Sequence, residues 1–257
     1  MISRREFLEL AAKAGIATAV PGCMPRRAAE SATDGVTVND VHSHLNPTRV
    51  HNVVRPESID AVQSVVRAAR RDGRGVSVAG GRHAMGGQQF ATNATLIDMN
   101  GLTRVIEFDR VAGEIEVEAG IQWPELYKYL IESQVNEKKP WAFIQKQTGA
   151  DKLSIGGALA ANAHGRGLKL QPFVGDVVAF TIVGPDGLVR RCSRTKNPEV
   201  FRAAIGGYGL FGAIVNVRLR LAPRHKVQRT VEVIDIGDLP AMFDRRIAAG
   251  YQYGDFQ

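Results

Sequence analysis

The feature that most limits how this chain can fold is a pair of glycine-rich segments. The first, Val76-Ser77-Val78-Ala79-Gly80-Gly81-Arg82-His83-Ala84-Met85-Gly86-Gly87-Gln88, starts like a strand and runs into a loop that carries one histidine. The second, Ser154-Ile155-Gly156-Gly157-Ala158-Leu159-Ala160-Ala161-Asn162-Ala163-His164-Gly165-Arg166-Gly167, holds no charged side chain before Arg166 and almost nothing bulky. Glycine brings no side chain to a core, so both segments predict places where backbone itself meets another surface. With no Cβ in the way, successive N–H groups can turn toward a ligand, which is how loops cradle phosphates. Two such surfaces in one domain predict a large, flat, phosphate-bearing ligand between them. That ligand is a cofactor.

Composition bounds the rest. At 257 residues the chain holds one full domain and the beginning of another. The net charge of +7 divides unevenly: residues 1–27 carry five basic and two acidic side chains, which leaves +4 for the remainder. With no Lys/Arg run and interleaved aromatics, nucleic acid is not an expected partner. Cys23 and Cys192 form neither a disulfide framework nor a zinc site of recognisable spacing, and no metal ligands are expected.

The N-terminus reads as an address. Ser3-Arg4-Arg5 followed by Phe7-Leu8 and a modest apolar run from Leu8 to Val20 is too short to span a bilayer. It resembles a twin-arginine export signal, so residues 1–31 are expected to be signal peptide and linker. The mature protein is expected to be periplasmic or extracytoplasmic. Val20-Pro21-Gly22-Cys23 offers two outcomes: a lipid anchor on Cys23, or cleavage between Gly22 and Ala32. The twin-arginine route carries folded proteins with cofactor installed, which agrees with the glycine loops.

Residues 28–50 are polar and aperiodic and read as a linker. A helix is expected from Pro56, with Ile59, Val62, Val66 and Ala69 at helical spacing and Gly73 as its stop. Short strands are expected at Val76–Ala79, Leu96–Met99, Val105–Phe108 and Ile115–Ala119, and a helix at Trp123–Leu130 with proline in its first turn. Val177–Val183 and Leu188–Cys192 flank the turn Gly184-Pro185-Asp186-Gly187. Asn197–Ala204 reads as a short helix, Ala213–Leu221 as a strand ended by Pro223, Val227–Ile236 as another strand, and Leu239–Ala249 as a helix. Mixed elements with several hairpins give an α+β class, not a doubly wound parallel sheet. Gly207-Tyr208-Gly209-Leu210-Phe211-Gly212 spells G-x-G-x-x-G, yet a helix precedes it and a strand follows. A nicotinamide-binding turn requires the reverse order, so that reading is rejected.

From Val53 to Pro223 these segments, in this order, resemble the PCMH-type FAD-binding domain of the vanillyl-alcohol oxidase superfamily. Gly80-Gly81-Arg82-His83 with Gly87-Gln88 is similar to the pyrophosphate loop of its sugar, aldonolactone and cytokinin oxidase branches. His83 matches the position where those branches bond the flavin 8α-methyl group covalently, with Ala84 in place of the serine common after it. Leu153–Gly167 is similar to the second FAD loop, and Gly212–Val215 to a late strand whose backbone touches flavin. No cysteine occurs in 148–167, so a second covalent bond is not expected. The resemblance implies a fold of two packed α+β subdomains over 48–224, with 225–257 the start of an incomplete substrate (cap) domain. It implies FAD held by Ala79, Gly80, Gly81, Arg82, His83, Ala84, Gly87, Gln88, Thr148, Gly149, Ser154, Gly156, Gly157, Ala160, Asn162, His164, Gly165 and Ile214. An imidazole on a tight glycine loop is a neutral, rigid nucleophile, the physical requirement for attachment at His83. The implied activity is oxidation of a carbinol (sugar, aldonolactone or polyol) by hydride transfer to flavin N5, with oxygen or a quinone-type acceptor. A chain without a complete cap is expected to bind FAD but turn over poorly. The alternative is an inactive exported flavin-binding module.

Overall fold

The structure, a computed structural model, describes residues 35–146 and 151–257. The expected signal and linker over 1–31, Cys23, Thr148 and Gly149 lie outside the described residues.

Helical spacing of apolar residues builds the first long helix. The Ser58 hydroxyl accepts the Ala61 N–H at 3.1 Å and caps α1 (Ile59–Arg71), so the helix starts at this cap and not at Pro56. Val62, Val66 and Ala69 are its buried face, and Gly73 turns the chain away at φ +63°. The helix is the crossover between two parallel strands, β3 (Asn52–Val54) and β4 (Val76–Ala79), which flank β5 (Thr95–Asp98) in the order β3-β5-β4. The link from β4 to β5 is the first glycine segment, so that segment leaves the carboxyl end of a parallel strand. Ligands sit at such ends in open sheets.

Residues 28–50 depart from the expected linker. β1 (Val36–Val38) pairs antiparallel with β2 (Thr48–Val50), and Val38 and Val50 close a small core with Ala79 and Leu96. Three-residue strands carry too short a pattern to be read from sequence.

The larger sheet is antiparallel. β6 (Val105–Asp109), β7 (Glu114–Glu118), β9 (Val177–Val183), β10 (Val189–Ser193) and β11 (Ala213–Pro223) take the order β10-β9-β11-β7-β6, while β8 (Trp141–Phe143) pairs with the end of β11. Its inner face and α2 (Trp123–Glu132) form the main core around Trp123, Phe180 and Leu219. α1 packs against both β5 and β9 and joins the two sheets. Two sheets of different kinds in one unit from Gly35 to Gln257 make the α+β fold that the sequence predicts.

Two expectations fail. The second glycine segment is not a continuous loop: Ile155–Ala160 forms a short helix, α3, packed on β11. Val227–Ile236 forms no strand; Val231 and Val233 are exposed, the latter 97%, and β-branched residues with neither a partner strand nor a surface to cover gain nothing from extension. α4 (Pro198–Ala204) and α5 (Leu239–Ala248) form where expected. Beyond α5 the chain returns to the domain, with Tyr253 donating its hydroxyl to the Ile144 carbonyl at 2.5 Å and bridging to Gly167.

Candidate functional site

The carboxyl end of β4 opens into the first glycine segment, and there the carbonyls are tied back. Asn100 donates to the Gly80 carbonyl at 3.1 Å, and the Val41 N–H to the Arg82 carbonyl at 3.0 Å. Gln89 donates to the Ala84 carbonyl, and Asn46 to that of Met85. The N–H groups of Gly81, Arg82, His83 and Ala84 have no acceptor among the described residues. Arg82 adopts φ +56°, the left-handed value that turns successive amides to one side. Four donors in a row with fixed carbonyls make an anion cradle. Arg82 adds a guanidinium 3.6 Å from Asp98.

The second segment uses its donors internally. The Ile155 N–H goes to the Ile121 carbonyl, Gly156 to Ala119, and Gly157 to the Ser154 hydroxyl that caps α3. Here glycine serves close approach: a Cβ on Gly156 would stand 2.7 Å from the Ala119 Cβ. The segments meet where a Cβ on Gly80 would come within 2.1 Å of the Ser154 hydroxyl and one on Gly81 within 2.3 Å of the Lys152 carbonyl.

Between them runs a cleft of about 320 Å³. Of the residues expected at the site, it is lined by Ala79, Gly80, Gly81, Arg82, His83, Ala84, Gln88, Ser154, Gly156, Gly157, Ala160 and Ile214. Four others lie off it. Gly87, at φ +71°, backs onto Asn46; Asn162 spends its amide oxygen on the Val174 N–H; Gly165 lies against the Lys146 carbonyl; and His164 is exposed, facing its neighbour's carbonyl. Tyr208, Gly209 and Phe211 form a wall that sequence reasoning missed, next to Gly212, the start of the late strand expected to touch the ligand. The G-x-G-x-x-G run was rightly refused as a nicotinamide turn, since α4 precedes it and β11 follows. Its glycines signalled a ligand nonetheless.

His83 borders the cleft, and its Nδ1 lies 2.6 Å from the Nε2 of His42. Burial and the nearby His42 imidazole lower its basicity below the ordinary histidine value, against a backbone hydrogen bond with Lys152 that raises it. A lowered basicity favours the neutral ring that a nucleophile requires. Cys192 is buried and free, and burial pushes its thiol up, away from reactivity. Among the described residues no three His, Cys, Asp or Glu side chains lie close enough to hold a metal ion, and no helix is long and apolar enough to cross a membrane.

The cleft combines unused backbone donors with apolar walls of Val78, Met99, Leu153, Ala158 and Ile214. That suits a ligand with a pyrophosphate and flat rings, the two parts of FAD, so the residues present are compatible with that cofactor. Residues 50–193 match the model of a family described as the FAD binding domain. The chain is similar to L-gulonolactone oxidase from Mus musculus, 29% identical over 176 residues, covering 68% of this chain and 38% of the relative. It is 31% identical over 188 residues to D-arabinono-1,4-lactone oxidase from Kluyveromyces lactis, covering 70% of this chain and 34% of that one. The Yarrowia lipolytica D-arabinono-1,4-lactone oxidase aligns over 223 residues at 26% identity, 83% of this chain and 41% of the relative. The chain thus spans about two fifths or less of the curated relatives it matches. With the cleft, the cradle and the matched segment in agreement, the chain belongs to the family of FAD-binding domains found in PCMH-type flavin oxidases.

Proposed function

We propose that this chain is the cofactor-binding part of an FAD-dependent oxidoreductase that oxidises a carbinol of a sugar, aldonolactone or polyol, with the flavin bonded covalently to His83. The observation that carries the reading is the row of free N–H groups from Gly81 to Ala84 ending beside a histidine of lowered basicity on the cleft. The lactone oxidase names of the relatives support the substrate class. Bound flavin supplies the two-electron chemistry, taking hydride at N5 and passing electrons to oxygen or a quinone-type acceptor. The chain's own work is positional. The Gly81–Ala84 amides and Arg82 hold the pyrophosphate, the Ala158, Ala160 and Ile214 wall excludes water, and His83 fixes the ring's far end. Covalent attachment prevents loss of the cofactor, which suits an exported protein. We place export by the Ser3-Arg4-Arg5 signal, and a lipid anchor on Cys23, within the same proposal.

The test is intact mass and in-gel ultraviolet fluorescence of the acid-denatured protein, wild type against His83→Ala. One flavin retained by wild type and none by the variant supports the reading. Flavin that washes from both leaves the fold and removes the covalent bond. Oxidation of an aldonolactone, with oxygen and a quinone compared as acceptors, tests the substrate class.

A further inference from the structure

We infer that His42 is a positioning residue for His83, held against it by a strap that Asp40 organises, so that the nucleophilic ring keeps one rotamer and one tautomer. The inference rests on the reading of His83 as the flavin-bearing residue. Residues 39–46 cross over the first glycine segment and are fastened to it at both ends. The Val41 N–H donates to the Arg82 carbonyl at 3.0 Å, and the Asn46 amide to the Met85 carbonyl at 2.6 Å.

Next to the first anchor, Asp40, 1% exposed, is the hub. It accepts the N–H groups of His42 (3.0 Å), Ser43 (2.6 Å) and His44 (3.3 Å), the Ser43 hydroxyl (2.8 Å) and the Asn46 amide (3.1 Å). Burial alone would raise this carboxyl, yet the bonds from Asn46, Ser43 and His42 outweigh it and hold it well below the usual range. A charged hub with five donors fixes the backbone on which His42 stands. The His42 ring then meets His83 edge to face, centroids 4.6 Å apart at 60°.

A hydrogen bond between the His42 Nε2 and the His83 Nδ1 has one proton between the two nitrogens. One ring donates and the other accepts, so the tautomers of His42 and His83 are linked, and the backbone of Lys152, the other partner of the His83 ring, acts on the same tautomer. An isolated imidazole on a glycine loop would rotate and populate both forms, and only part of that population would offer a lone pair to the flavin. Attachment forms one C–N bond between an imidazole nitrogen and the 8α-methyl carbon. The imidazole N–H and one methyl C–H are broken, both hydrogens and the two electrons of the oxidation pass to the flavin ring, and molecular oxygen then reoxidises it to give hydrogen peroxide. His42 touches no reacting atom in this scheme. It acts through His83.

The experiment compares wild type, His42→Phe, His42→Gln and His83→Ala as full chains. His42 is exposed, so its replacement leaves the core intact. After mixing FAD-free protein with FAD, the rate of acid-stable flavin fluorescence is followed. His42→Phe is expected to retain FAD on ultrafiltration yet attach it more slowly, on the order of tenfold or more. His42→Gln, whose amide donates and accepts, should recover most of the rate. In a second measurement the FAD-free chain carries ¹⁵N-histidine, and the ring shifts of His83 are read at a pH where it is neutral. A single tautomer in wild type and a mixture in His42→Phe support the inference. Unchanged ring shifts, or an unchanged attachment rate in His42→Phe, overturn it. Should wild type carry no acid-stable flavin, the covalent reading of His83 fails, and the ring shifts still decide whether His42 sets its tautomer.

Discussion

The two glycine-rich segments look alike in sequence and behave oppositely. Gly80–Gly87 ties back the carbonyls of Gly80, Arg82, Ala84 and Met85 and leaves four N–H groups without an acceptor among the described residues, whereas Ser154–Gly167 consumes its first amides on Ile121, Ala119 and Ser154. In the first, glycine gives the backbone freedom to receive a ligand; in the second, it removes bulk so that α3 can seat against β11. The lesson is that glycine content marks a site, while the fate of the amide hydrogens tells which part binds and which part builds. Each region also carries a buried carboxylate. Asp40, over the first, is satisfied by five donors and held low; Asp176, after the second, is lifted to about 6 by burial, with Arg220 opposing.

The sharpest way to break this comparison is Gly156→Val. Its Cβ would meet Ala119 at 2.7 Å, so the fold should lose about 3 kcal/mol in a denaturant titration. A variant as stable as wild type would mean that the second segment is not a packing element.

The carboxylates give the next effect. Asp176 binds its proton more tightly folded than unfolded, so its contribution is fully present below about pH 4 and is lost as pH rises through about 6. Asp176→Asn should flatten that decline and stabilise the protein at pH 7.5 by about 2 kcal/mol. Asp40 has the opposite sign: its stabilisation is present above about pH 4 and is lost on acidification. Thermal melts from pH 3 to 8 should therefore show a maximum between these two losses, and Asp176→Asn should remove only the alkaline side.

Smaller still, Ser154→Ala removes the α3 cap and should cost about 1 kcal/mol without abolishing FAD binding. Gly86→Ala should be the mildest change. Its Cβ meets only the mobile end of Gln88, so stability should move by less than about 0.5 kcal/mol and FAD affinity should hold. A large loss there would show that the first loop is packed as tightly as the second.

What could be read from the sequence follows the length of its patterns. α1 was legible because Val62, Val66 and Ala69 repeat over two turns, and β9 because six apolar residues and one threonine run in seven positions. The cleft was legible through its glycines: twelve expected residues line it. β1 and the Asp40 strap were not, since polar residues whose bonds lie within one loop leave no periodicity. The contact between His42 and His83 spans 41 positions and no spacing rule announces it. Val227–Ile236 misled in the other direction, because β propensity records what a residue does on a half-buried surface, and this stretch has none.

One consequence of the sheet order remains. β11 is the last strand of the large sheet in the chain, yet it stands at the centre, between β9 and β7. Until residues 213–223 have been synthesised, β7 and β9 each present an open edge with unpaired backbone, and the cleft lacks Ile214. Closure is thus a long-range event with a high loop-entropy cost, and it sets the pace of folding. Cofactor loading must wait for it, so the nascent chain has a window in which it is sticky and empty.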